Sequence, residues 1–224
     1  MELKDKTILI TGASQGIGAE TAYAFAKEGA KLVLTYNKHS REGLSVSKQC
    51  SDFGASDVLV VHLNVLDDKS IANLVHEVKQ KFGKIDVLIN NAGVIVWKHL
   101  KDQSFKDIEN QIRVNYEGLV KVTRAILSLV NEMIINIASG AGKTPYADLT
   151  TYCGTKFAVR GFSQALALEV KQKVIVVNPG LTSTAMTNFS GRSPSDVANV
   201  ILDTVSGKYA VESGGEVDID DVLS

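Results

Sequence analysis

Thr11-Gly12-Ala13-Ser14-Gln15-Gly16-Ile17-Gly18 joins a short apolar run, Thr7–Ile10, to a helix-length segment, Ile17–Glu28. The three glycines have separate physical uses. Gly12 permits a tight turn, Gly16 lets a pyrophosphate approach the backbone, and Gly18 allows helix and strand to pack closely. The first amides of a helix have no intrahelical partner, so they favour an anion. A glycine-rich pattern alone is a weak signal. A strand before it and a helix after it give it the context of a phosphate-binding turn. The competing reading is a glycine turn with no ligand.

The same alternation continues along the chain. Leu32–Leu34, Val58–Leu63, Val87–Ile89, Ile134–Ile137 and Val174–Val177 are apolar almost throughout, as strands buried on both faces are. Between them lie Arg41–Phe53, Lys69–Phe82, Phe105–Val130 and Thr151–Lys171, all of helix length. Gly29, Gly54 and Gly83 follow three of the helices, where a left-handed cap is expected, and Asp67-Asp68 reads as an N-terminal cap. Repeated β-α-β units predict a doubly wound, Rossmann-like α/β fold, a parallel sheet with helices on both faces. Only Pro145, Pro179 and Pro194 are prolines, and no linker or repeat divides the chain. One domain over residues 1–224 is expected. Within Phe105–Val130, Ile108, Ile112, Asn115, Leu119, Val122, Ile126 and Leu129 form one seam, while Val114, Val120, Ala125, Leu127 and Val130 put apolar groups on other faces. Such a helix is buried on two sides, one against the sheet and one against a second subunit.

Composition excludes several function classes. The 224 residues are 45% hydrophobic and 22% charged, with a net charge of −1. That is ordinary for a soluble protein and makes no electrostatic case for nucleic acid or an anionic membrane. After Lys208 there is no basic residue, and Glu212, Glu216, Asp218, Asp220 and Asp221 read as a solvated acidic end. Cys50 and Cys153 are too few for a disulfide framework. No apolar run reaches signal-peptide or membrane-span length. The expected setting is the cytoplasm. His39, His62, His76 and His99 are isolated, without metal-ligand spacing, so no metal is expected.

Several polar residues fall at strand ends. Asn90-Asn91-Ala92-Gly93 follows the fourth strand; its asparagines can cap local backbone and Gly93 leaves room for a ligand. Asn115 interrupts an apolar seam and needs partners, whether for structure or for function. Ser139 ends the fifth strand. Tyr152 and Lys156 are four apart, on one helical face, while Cys153 is turned about 100° away and reads as packing. A free tyrosine titrates near ~10, too high for ready proton exchange. An ammonium near ~4 Å favours phenolate by about 4 kcal/mol at an effective dielectric of ~20, before desolvation opposes it. The pair makes sense as a tuned general acid/base, with Ser139 orienting a substrate oxygen. Pro179-Gly180-Leu181-Thr182-Ser183-Thr184 is a polar turn after the sixth strand.

Taken together, these segments resemble the short-chain dehydrogenase/reductase family from Leu3 to about Val205. The resemblance implies hydride transfer between a nicotinamide cofactor and a carbonyl or secondary alcohol. Tyr152 is then the general acid/base, Lys156 lowers its pKa and binds the nicotinamide ribose, Ser139 holds the substrate oxygen and Asn115 completes a proton relay. Gly12, Ser14, Gln15, Gly16, Ile17 and Gly18 hold the phosphates. Asn64, Val65, Asn91, Ala92 and Gly93 line the adenosine side, and Pro179, Gly180, Thr182 and Thr184 meet the nicotinamide. No acid stands at Tyr36, and Lys38 and Arg41 lie close by, so NADP(H) is favoured and NAD(H) remains possible. Gln15 stands where many phosphate-binding members have a basic residue, and Asn37 is neutral. Ser139, Val94, Val96, Ala141, Tyr146, Leu181 and Met186 are the expected substrate pocket, suited to a hydrophobic carbonyl compound. A short segment from Gly180 to Ser195 implies an open lid, and Ser213-Gly214-Gly215 is the nearest remnant of the family's Asp-Gly-Gly ending. A homodimer or homotetramer is implied. The alternative class is a non-catalytic NADP(H)-binding redox sensor, which needs the glycine loop but not Tyr152 with Lys156.

Overall fold

The computed structural model describes residues 2 to 223. The apolar runs become β1 (Thr7–Ile10), β2 (Lys31–Tyr36), β3 (Asp57–His62), β4 (Ile85–Asn90), β5 (Val130–Ile137) and β6 (Lys173–Asn178), with a short β7 (Glu216–Asp218). They form one sheet in the order β3-β2-β1-β4-β5-β6-β7, parallel throughout. Side chains alternate across a strand. Ile8 and Ile10 therefore face one layer, formed by α1 (Gly16–Lys27), α2 (Ser40–Phe53) and α7 (Pro194–Ser206), where Phe25, Val46 and Ile201 meet them. Leu9 faces the other layer, with Leu74 of α3 (Asp68–Lys81), Ile126 of α5 (Leu119–Ile126) and Leu166 of α6 (Thr150–Glu169). Each such fully buried side chain contributes about 1.5–3 kcal/mol. Gly29, Gly54 and Gly83 adopt the left-handed conformation expected of helix caps, and Asp67 caps α3 by accepting from the Lys69 amide.

The strand order reverses between β1 and β4, and the crevice at their carboxyl ends is where a ligand of this fold class binds. The glycine loop follows β1 and Asn91-Ala92-Gly93 follows β4, so both open onto that crevice.

Several expectations need correction. Phe105–Val130 is not one helix. It divides into α4 (Phe105–Ile112), a π-helical turn (Arg113–Gly118), α5 and a 3-10 turn (Leu127–Leu129). Val130 already belongs to β5, because it pairs with Ile85. Leu127 does not point outward; it is partly buried against the core under α3 and α5. The helix α7 falls outside the segments expected to be helical, although Ser193 caps it, Pro194 opens it and Gly207 ends it in the left-handed conformation.

The acidic end is not merely solvated. Glu216 and Asp218 lie in β7, which pairs with β6. Glu216 pairs with Arg160, Asp218 with Lys143 and Asp220 with Arg192. Gly214 and Gly215 form the turn that leads into this strand.

Candidate active site

The glycine loop is held open by its neighbours. The Gly12 amide donates to Thr35 Oγ1 (3.1 Å) and the Ala13 amide to the Thr35 carbonyl (2.8 Å). Thr11 Oγ1 accepts from the amides of Asn91 (2.9 Å) and Ala92 (3.0 Å), tying the loop to the end of β4. Asn91 Nδ2 donates to the carbonyls of Thr11 (2.9 Å) and Gly12 (3.1 Å). A Cβ on Gly18 would collide with the Gly12 carbonyl and come within 2.6 Å of Asn91 Nδ2, so close packing of helix on strand does require glycine there. The N-cap residue of α1, Gln15, makes no side-chain cap, and the first turn carries no acid. The helix end therefore suits an anion. A Cβ on Gly16 would lie 3.2 Å from Thr184 Cγ2, which brings the turn after β6 against the glycine loop.

At the end of β2, Tyr36 pairs in register with His62 of β3, and their rings meet edge to face with centroids 5.6 Å apart. Asn37, Lys38 and Arg41 are exposed, and neither cation forms an ion pair among the described residues. Asn64 uses its side chain within its own turn, accepting from the Leu66 amide (3.1 Å), and Val65 is buried against Gly118.

The segment after β4 hangs from buried side-chain amides. Asn115, in the π-helical turn and 1% exposed, accepts from the Val94 amide at 2.7 Å and donates to the Val94 carbonyl at 2.9 Å. It also donates to Thr155 Oγ1 on α6 at 3.1 Å. Gln111, fully buried, accepts from the Val96 amide at 3.1 Å. Buried amides of this kind must find partners, and here they fix two expected pocket residues.

Ser139, Tyr152 and Lys156 converge below this segment. Ser139 Oγ accepts from the Ala141 amide (3.1 Å), donates to the Pro179 carbonyl (3.4 Å) and lies near enough to the Tyr152 hydroxyl to oppose the rise in its pKa. Lys156 is buried; its Nζ donates to the Ile137 carbonyl at 2.9 Å and lies 5.6 Å from the Tyr152 ring centroid. A Cβ on Gly93 would come within 3.3 Å of Asn115 Oδ1 and 3.9 Å of Lys156 Nζ, so glycine keeps the space above the lysine clear. The Tyr152–Lys156 spacing predicts that the ammonium lowers the phenol's pKa. In this structure burial dominates and pushes Tyr152 up to about 12, opposed by the Ser139 hydroxyl. Burial likewise lowers Lys156 to about 8. Both shifts favour the uncharged forms, as desolvation does.

Around these groups, Ala141 packs with Leu149, Cys153, Ile95 and Tyr152. Cys153 is thus a packing residue, as its helical angle implies. Tyr146, Leu181 and Met186 are exposed at the rim. The segment after β6 folds on itself: the Ser183 amide donates to the Arg192 carbonyl (2.7 Å) and the Arg192 amide to the Leu181 carbonyl (2.9 Å). Thr182 Oγ1 donates to the Gly180 carbonyl within the same turn (3.0 Å).

Three residues outside the sequence motifs matter here. Trp97 Nε1 donates to the Met186 carbonyl (3.0 Å) and bridges the mouth from the β4 side to the lid. Gln111 and Arg160 act through backbone carbonyls and amides, which leaves no mark in a motif. For Trp97 a signal existed, since it directly follows Val96, lies three residues after Val94 and is the chain's single tryptophan.

A family model described as short chain dehydrogenase matches residues 6–194. The 3-oxoacyl-(acyl-carrier-protein) reductase of Thermotoga maritima is 34% identical, over 98% of both chains. The NADP-dependent 3-hydroxy acid dehydrogenase of Schizosaccharomyces pombe is 34% identical, over 89% of this chain and 86% of its own. Among solved structures, a short chain dehydrogenase from Burkholderia cenocepacia in complex with NADP superposes with a TM-score of 0.88 at 26% identity, covering 97% of each chain.

Proposed function

This chain belongs to the short-chain dehydrogenase family and is an oxidoreductase; on that premise we propose that it transfers hydride between NADP(H) and a carbonyl or secondary alcohol carbon, with Tyr152 as the general acid/base. The observation that carries this reading is the meeting of Ser139, Tyr152 and Lys156 beside Gly93, in the crevice onto which the glycine loop opens. The loop amides and the uncapped end of α1 suit the cofactor's pyrophosphate. Lys38, just past β2, and Arg41, in the first turn of α2, are exposed cations without an ion pair among the described residues, a setting that suits a 2′-phosphate. Relatives named or solved with NADP support the same choice. The cofactor, when bound, supplies or takes the hydride.

The chain's own residues do the rest. Ser139 donates to the substrate oxygen and holds it beside the Tyr152 hydroxyl. Tyr152 gives its proton to that oxygen in reduction and takes it back in oxidation. Lys156 as ammonium stabilises the phenolate left behind and reaches the nicotinamide ribose. Asn115 fixes Val94 and, through Thr155, α6, so it holds the pocket wall and the acid/base helix at one distance. The apolar rim of Val94, Val96, Leu181 and Met186, with Trp97 across it, suits a small to medium hydrophobic carbonyl compound.

Assembly belongs to the same proposal. The outer face of α6 exposes Gly154, Phe157, Gly161 and Leu168, and a Cβ on either glycine would meet nothing within 4 Å. A flat apolar face of this kind fits a second copy, as a homodimer or a homotetramer. No helix among the described residues is long and apolar enough to cross a membrane. Cys50 and Cys153 are buried free thiols, which suits the cytoplasm.

The test uses NADPH with a panel of ketones and aldehydes. On whichever compound is reduced, Tyr152→Phe lowers kcat by about 10²-fold or more, while the Kd for NADPH changes little. Lys156→Ala damages both. Unchanged turnover in Tyr152→Phe removes Tyr152 from the mechanism.

A further inference from the structure

The helix that carries Tyr152 and the turn that carries Ser139 are joined a second time, away from the reacting atoms. Ser139 opens a 3-10 turn (Gly140–Gly142) that locks it at both ends: the Ala141 amide donates to its Oγ at 3.1 Å and the Gly142 amide to its carbonyl at 2.8 Å. The turn rests on α6, since a Cβ on Gly142 would come within 2.9 Å of the Lys156 carbonyl. One helical turn beyond Lys156, Arg160 Nη1 donates to the Gly142 carbonyl at 2.5 Å. The same guanidinium donates through Nε to both carboxylate oxygens of Glu216, at 2.9 and 3.0 Å. Glu216 is itself held by Asn178 Nδ2 at 2.9 Å, and its side chain is 14% exposed against 22% for Arg160. A guanidinium fixed by a carboxylate has little freedom left, so its remaining donor is aimed.

We propose that Arg160 and Glu216 are positioning residues: together they clamp the Ser139 turn onto α6 and so fix the Ser139 hydroxyl against the Tyr152 hydroxyl. The acidic C-terminal strand thereby sets the geometry of an acid/base pair that it never touches. Lys143–Asp218 tethers the same strand to the residue after the turn, but the Lys143 side chain bonds no carbonyl of that turn; only its backbone amide does, to Gly140 at 3.0 Å, and Lys143→Met keeps that bond. This inference rests on reading Tyr152 as the proton donor, and its test needs neither substrate nor cofactor.

The readout is the phenolate fraction of Tyr152, followed by its ¹³Cζ resonance up to pH 11 and assigned by its loss in Tyr152→Phe. The groups that face the phenol are Ser139, Lys156 and Cys153; of these only Ser139 is changed, in the reference variant Ser139→Ala, and the Arg160, Glu216 and Lys143 variants leave all three in place. A Ser139 hydroxyl that donates to the phenolate favours it. Displacing the turn therefore raises the titration by about half a pH unit or more, roughly threefold less phenolate at pH 11. The double variant Arg160→Met, Glu216→Gln removes both charges and strands neither. It should fall to the level of Ser139→Ala, while Lys143→Met stays at the wild-type level. Arg160→Lys keeps the charge but not the fork, and it shows the same fall if the double variant does not fold. A wild-type phenolate fraction in the double variant, or in Arg160→Lys, overturns the proposal. So does an equal fall in Lys143→Met, or no fall in Ser139→Ala.

Discussion

Lys156 makes stability depend on pH in a direction that follows from its surroundings. Burial lowers its pKa from 10.5 to about 8 in the folded chain. Below pH 8 the ammonium is present in both folded and unfolded chains, and the full cost of burying it opposes folding. Between pH 8 and 10.5 the folded lysine releases its proton while the unfolded one keeps it, so stability rises with pH. Over the interval from pH 7 to 10 this amounts to nearly two pKa units, or about 2.5 kcal/mol. Tyr152 acts in the opposite sense, but later. Its pKa is raised to about 12, so the unfolded phenol loses its proton first and stability falls only above about pH 10. The perturbation is Lys156→Met, which keeps the stem and removes the titrating head. Urea unfolding of both proteins at pH 7, 8, 9 and 10 gives the stability difference at each pH. The advantage of the methionine variant should shrink by about 2.5 kcal/mol between pH 7 and 10. A difference that stays constant over that range refutes the reasoning, because it means that the buried lysine keeps its proton.

Asn115→Ala strands the Val94 amide and carbonyl that the side chain now satisfies. A cost of about 3 kcal/mol is expected, read as a fall in Tm of about 6–12 °C by circular dichroism for a domain of this size; a shift within 2 °C contradicts the clamp. Tyr36→Asp adds a carboxylate where a 2′-phosphate is proposed, and fluorescence titration should show about tenfold weaker NADPH binding relative to NADH. If the proposed homodimer or homotetramer forms through the α6 face, Leu168→Lys, at its 90% exposed end, should lower the mass seen by light scattering, whereas an unchanged oligomeric mass rules this face out as the interface.

Much of this protein is legible from its residues in order. The apolar runs mark the six longer strands, because strands buried on both faces leave no room for polar alternation. The glycine loop, the Tyr152–Lys156 spacing and the caps at Asp67, Gly29, Gly54 and Gly83 are local, so backbone geometry and side-chain type settle them together. What local pattern cannot hold is a partner distant in sequence. The break of Phe105–Val130 comes from Val130 pairing with Ile85, and the inward turn of Leu127 comes from the core it meets. The acidic end reads as solvated because Arg160, Lys143 and Arg192, which pair with it, come from three other parts of the chain. The titration of the central pair follows the same division. Spacing puts Lys156 and Tyr152 on one helical face, but only the tertiary structure decides how much water they keep, and desolvation outweighs their mutual attraction.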